Sequence, residues 1–68
     1  MEEKEKKLSK RQLDVIRLLV KGYTYQEIGR NLYLSERTIK YHMEKIKEEL
    51  GLKNQAQVIA YAKEKLSM

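Results

Sequence analysis

Three residues of capping type each stand three positions ahead of a glutamine or glutamate: Ser9 with Gln12, Thr24 with Glu27, and Asn54 with Gln57. At that spacing the first side chain accepts the N–H of the third helical residue, whose own side chain reaches back to the cap. The pattern marks helix starts. Ser35 adds a fourth N-cap residue, and Gly22 and Gly51 follow two of the apolar runs, where a left-handed residue ends a helix at least strain. Proline is absent and glycine occurs three times, which disfavours a sandwich or barrel with its frequent turns. The chain therefore reads as all-α, with four helices over about 10–21, 25–32, 36–50 and 55–65.

Sixty-eight residues accommodate one domain, and a chain so short buries only about 60% of the surface its unfolded form exposes. Covalent and metal staples are excluded. There is no cysteine, and the single histidine, His42, cannot assemble a zinc cluster alone. Stability has to come from helix packing, oligomerisation, or both. Residues 1–7, with three acids and three lysines, read as a disordered charged tail ahead of a single domain over 8–68. The longest apolar run, Val58–Ala62, falls far short of the ~20 residues that cross a bilayer. The charged start lacks the apolar stretch of a signal peptide, so a soluble, cytoplasmic protein without a membrane partner is expected.

The formal charge is +5, with +3 over residues 8–34, zero over 35–50 and +2 over 51–68. No block is strongly basic, so any polyanion-binding surface has to be assembled in space.

Helical wheels assign the parts. In the first helix Leu13, Val15, Ile16, Leu18, Leu19 and Val20 span roughly 220°, which makes it a central strut touching several helices. In the second, Ile28 and Leu32 share a face beside Gly29. Glycine inside a helix costs about 1 kcal/mol relative to alanine, so its presence points to another backbone passing close by. In the third, Ile39, Met43, Ile46 and Leu50 form one apolar stripe; Arg37, Tyr41, Glu44, Lys45 and Glu48 lie opposite, with Lys40 and Lys47 on a flank. A short helix with a crowded glycine, a turn of about three residues and a longer amphipathic helix describe a helix-turn-helix. Its second helix has a stripe to fix it to the body and a polar face able to enter a major groove ~12 Å wide.

These residues closely resemble the LuxR/GerE-type DNA-binding domain of bacterial transcription factors. The resemblance is carried by Leu8-Ser9 with Arg11, Asp14-Val15-Ile16 with Leu18 and Gly22, and Glu27-Ile28-Gly29 with Leu32. It continues through Leu34-Ser35, Thr38-Ile39-Lys40 with His42, then Ile46, Leu50 and Leu52, and so covers roughly residues 8–60. It implies a four-helix fold, with the third helix as the recognition helix and the fourth as a dimer contact. With Met1 at the start, it also implies a stand-alone, GerE-like domain. Gln12 replaces the family's usual Glu, Gly29 the common Ala, Glu49 the usual Lys and Gln55 a frequent Arg.

Lys40, Tyr41, Glu44 and Arg37 are the expected base contacts. Lysine and arginine suit guanine O6/N7, a carboxylate suits cytosine N4, and an aromatic ring suits a thymine methyl. Ser35, Thr38, Tyr25, Gln26, Lys45, Lys47 and His42 are the expected phosphate contacts, helped by free N–H groups at helix N-termini. For His42, on the border of the stripe, a hydrogen-bonding structural role is favoured over the phosphate contact. In the fourth helix Val58, Ile59, Ala62 and Leu66 can face the body, leaving Ala56, Ala60, Gln57 and Lys63 as a dimer face.

The expected partners are double-stranded DNA, a second copy of the chain and RNA polymerase, with no cofactor, metal or small-molecule ligand. One histidine, one aspartate and no cysteine offer no catalytic constellation. Two other readings stay open: an adaptor or antagonist docking through the fourth helix, favoured by Glu44, Glu48 and Glu49, and a sigma-region-like module binding RNA polymerase.

Overall fold

All four capping residues accept the N–H three residues ahead in the structure, a computed structural model that describes residues 8–68, and two of them form the full reciprocal pair. Ser9 Oγ accepts the Gln12 N–H at 3.1 Å while Gln12 Oε1 accepts the Ser9 N–H at 2.9 Å. Thr24 and Glu27 repeat the reciprocal pair at 3.1 and 2.9 Å. Asn54 Oδ1 accepts from Gln57 N at 2.9 Å, but the Gln57 side chain reaches one residue further back, to the Lys53 N–H at 2.6 Å. The resulting helices are α1 (Lys10–Val20), α2 (Tyr25–Leu32), α3 (Glu36–Leu50) and α4 (Gln55–Lys65). α1 ends one residue earlier than its sequence suggests, because Lys21 serves as its C-cap. The expected tail over 1–7 lies outside the described residues.

Three helices stop by one device. A residue in the left-handed region follows the helix, and the next N–H bonds back to a carbonyl five residues earlier. The left-handed residues are Gly22 (φ 96°), Tyr33 (φ 60°) and Gly51 (φ 69°). The return bonds are Tyr23 N to Leu18 O (3.2 Å), Leu34 N to Gly29 O (2.8 Å) and Leu52 N to Lys47 O (2.9 Å). Tyr33 is the odd member. A β-carbon in this conformation costs roughly 1–2 kcal/mol, and a side chain 94% exposed recovers little of it by packing. Tyr33→Gly is therefore expected to stabilise the domain by about 0.5–1 kcal/mol, after subtraction of the glycine's larger chain entropy. Chemical denaturation measures this directly; an unchanged or lower midpoint would contradict it.

α1 contacts each of the other helices, as its wide apolar arc predicts. The core consists of Val15, Ile16 and Leu19 from α1, Ile28 from α2, Ile39, Met43 and Ile46 from α3, and Val58 and Ala62 from α4. No polar or charged residue is buried among the described residues, so apolar contact alone fixes how the helices sit. At Gly29 the expected crowding is present. A β-carbon there would lie 2.5 Å from the Leu34 carbonyl oxygen. The missing methyl lets the turn at residues 33–35 fold tightly over α2, which sets where α3 begins.

Candidate nucleic-acid interface

α3 divides cleanly along its length. Ile39, Met43 and Ile46 are fully buried and Leu50 partly so, which anchors one side to the body. Arg37, Lys40, Tyr41, Glu44, Lys45 and Glu48 are all exposed. The structure thus brings the four expected base-reading residues onto one side of one helix, uncovered by packing of the other described residues.

The charges on that helix are not equivalent. Glu44 Oε2 lies 3.2 Å from Lys47 Nζ, and Lys45 Nζ lies 3.5 Å from Glu48 Oε1. Neither Arg37 nor Lys40 forms an ion pair with a described residue. The available positive charge therefore sits in the first half of α3. Lys40 and Glu44, an i,i+4 pair in sequence, do not join; Glu44 takes Lys47 at i,i+3, with the acid N-terminal to the base, the better orientation on a helix. Tyr41 stands between, 59% exposed. Lys45 Nζ lies 5.9 Å from its ring centroid, near the outer limit of a cation–π contact. His42 meets the same ring edge-on at 5.9 Å.

The start of α3 carries an anion-attracting geometry. Ser35 Oγ accepts the Thr38 N–H at 3.0 Å and bonds the Thr38 hydroxyl at 2.9 Å. Both hydroxyls are thus engaged in the cap. The N–H groups of Glu36 and Arg37 keep no backbone partner among the described residues, as the first turn of a helix requires. Gln26 is exposed at the start of α2. Tyr25, beside it, is half-buried; desolvation raises its phenol pKa, opposed by the nearby Lys47 charge and reinforced by Glu44. His42 Nδ1 is buried without a hydrogen-bond partner among the described residues, so the structural role open to it rests on packing rather than on a bond at that nitrogen.

On α4, Ala56, Gln57, Ala60 and Lys63 are exposed, while Val58 and Ala62 are buried and Ile59 and Leu66 partly so. The division follows the wheel, although the Gln57 amide oxygen is occupied by the Lys53 N–H.

Two features escaped the sequence reading. The Glu44–Lys47 pair has an i,i+3 spacing that was legible, but the i,i+4 pairing with Lys40 competed for the same carboxylate. Tyr33 is not the residue type a left-handed stop favours; only the parallel with Gly22 and Gly51 marks it as a helix stop. No helix among the described residues is long and apolar enough to cross a membrane.

Comparison with known proteins agrees with this geometry. Residues 6–62 match the family described as bacterial regulatory proteins, luxR family. The chain is 40% identical over 58 residues to the oxygen regulatory protein NreC of Staphylococcus aureus strains JH9, JH1 and Mu3. That alignment covers 85% of this chain and 27% of each relative, so the chain spans about a quarter of their length. No solved structure matches it significantly. Four helices, an anchored third helix with an open polar side and the family match over residues 6–62 together establish that the chain belongs to the luxR family of bacterial regulatory proteins, with a helix-turn-helix of that type.

Proposed function

We propose that this chain is a sequence-specific regulator of transcription that inserts α3 into the major groove of double-stranded DNA and binds as a dimer through α4, acting at the nucleoid without catalysis or cofactor. The observation that carries this reading is the open side of α3. Arg37, Lys40, Tyr41 and Glu44 are presented together on a helix whose opposite side is locked into the core. Ser35, Thr38, Gln26, Tyr25, Lys45 and His42 frame that surface and would take phosphates, fixing register without reading sequence. Ala56 and Ala60, with Gln57 and Lys63, give α4 a side where small residues let a second copy approach. A dimer doubles the phosphate contacts and reads a two-fold site. RNA polymerase would be met on surfaces outside the groove.

Selection of bound duplexes from a random pool tests this, with affinities measured at low and moderate salt. The expected product is a two-fold symmetric sequence. Binding should weaken with salt with a logarithmic slope of about −0.9 per neutralised phosphate. Salt-insensitive retention, or no retention at all, would favour the adaptor reading instead.

A further inference from the structure

We infer that Lys47 is a positioning residue for Glu44, holding its carboxylate as a base-discriminating acceptor that selects an exocyclic amino group, cytosine N4 before adenine N6. The inference rests on the duplex-DNA reading above and deepens it by naming what one position of the site has to contain.

A carboxylate on a groove-facing helix meets the negative field of the phosphates and, left alone, weakens binding to every sequence. Glu44 is not left alone. Its Oε2 lies 3.2 Å from Lys47 Nζ, and the Lys47 side chain is only 22% exposed, against 70% for Glu44. The other pair on α3 shows the contrast: Lys45 and Glu48 are 48% and 73% exposed and stand 3.5 Å apart. Lys47 is therefore held against the body while its ammonium reaches out to the carboxylate. Tyr25, half-buried at the start of α2, has its phenol pKa raised by desolvation, with Lys47 lowering it and Glu44 raising it.

One carboxylate oxygen is thus occupied by Lys47, and Oε1 keeps no protein partner among the described residues. An oxygen that can only accept discriminates among base edges. Guanine O6 and N7 and thymine O4 are themselves acceptors and repel it. Adenine N6 is a donor but sits beside acceptor N7. Cytosine N4 is a donor with no neighbouring acceptor on its edge. In this arrangement Lys47 serves Glu44 rather than a phosphate of its own.

The test uses the full chain and its selected duplex, with single base-pair substitutions across the half-site. Glu44→Ala is expected to abolish preference at one C·G position, a loss of about 5- to 100-fold in discrimination, while binding to other duplexes holds or tightens. Lys47→Met, which keeps the stem and removes the charge, is expected to reduce preference at that same position and leave the salt slope unchanged. Lys47→Gln gives the same result if packing of the stem is not the cause. In a Glu44→Ala background, Lys47→Met should add nothing to the change in preference. Unaltered base preference in Glu44→Ala overturns the inference and leaves the DNA reading intact. So does a Lys47→Met protein that binds all sequences equally weakly with a slope lower by about one per subunit, the signature of a phosphate contact. Failure of the unmodified chain to bind duplex DNA overturns both.

Discussion

Ile39→Ala is expected to remove a large share of this domain's stability. Ile39 is fully buried, and it is the first anchor of α3 after the turn at residues 33–35. Truncating a buried isoleucine to alanine costs about 2–5 kcal/mol, because the lost contacts are joined by a cavity that the surroundings only partly fill. Domains of this size are stable by roughly 3–10 kcal/mol, and the described core lacks any buried hydrogen-bonded network to compensate. The change should appear as a large drop in the denaturation midpoint followed by far-UV circular dichroism, with loss of DNA binding as a consequence. Tyr41→Ala, two residues on and exposed, should change the stability by no more than about 0.5 kcal/mol. A loss below about 1 kcal/mol in Ile39→Ala would mean that the α3 stripe does not hold the helix as described.

Lys40→Ala is expected to leave the fold unchanged and weaken binding to the selected duplex by about 1–3 kcal/mol, with relaxed preference at one base pair. Lys40 is exposed, unpaired with any described carboxylate, and placed in the half of α3 where positive charge is available. Loss concentrated on the cognate sequence identifies a base contact at guanine O6 or N7. Uniform weakening with a salt slope smaller by about one identifies a phosphate contact. Unchanged affinity for both cognate and unrelated duplexes would remove Lys40 from the interface altogether.

The helix starts were legible because N-capping is local chemistry. Ser9, Thr24, Ser35 and Asn54 each bond a backbone N–H three residues ahead. The α3 stripe was equally legible, since Ile39, Met43 and Ile46 repeat at helical spacing and all are buried. Gly29 told of the close turn because glycine within a helix needs a reason, here the Leu34 carbonyl. What stayed hidden depends on competition or on position in space. Glu44 had two lysines within reach along the helix, and sequence alone does not show that Lys47 is partly withdrawn from water. The effect of Lys47 and Glu44 on the Tyr25 phenol links α2 with α3, and no spacing along the chain encodes it. Tyr33 concealed a left-handed stop because tyrosine is not the residue type such a stop favours.

Methylation interference on the selected duplex tests most directly whether the exposed side of α3 lies in the major groove. Methyl groups at guanine N7 occupy the major-groove edge and those at adenine N3 the minor-groove edge. Loss of binding on methylation of guanine N7 within each half-site, with that interference weakened in Lys40→Ala, is the predicted result. Interference confined to adenine N3, or binding indifferent to both, would contradict it.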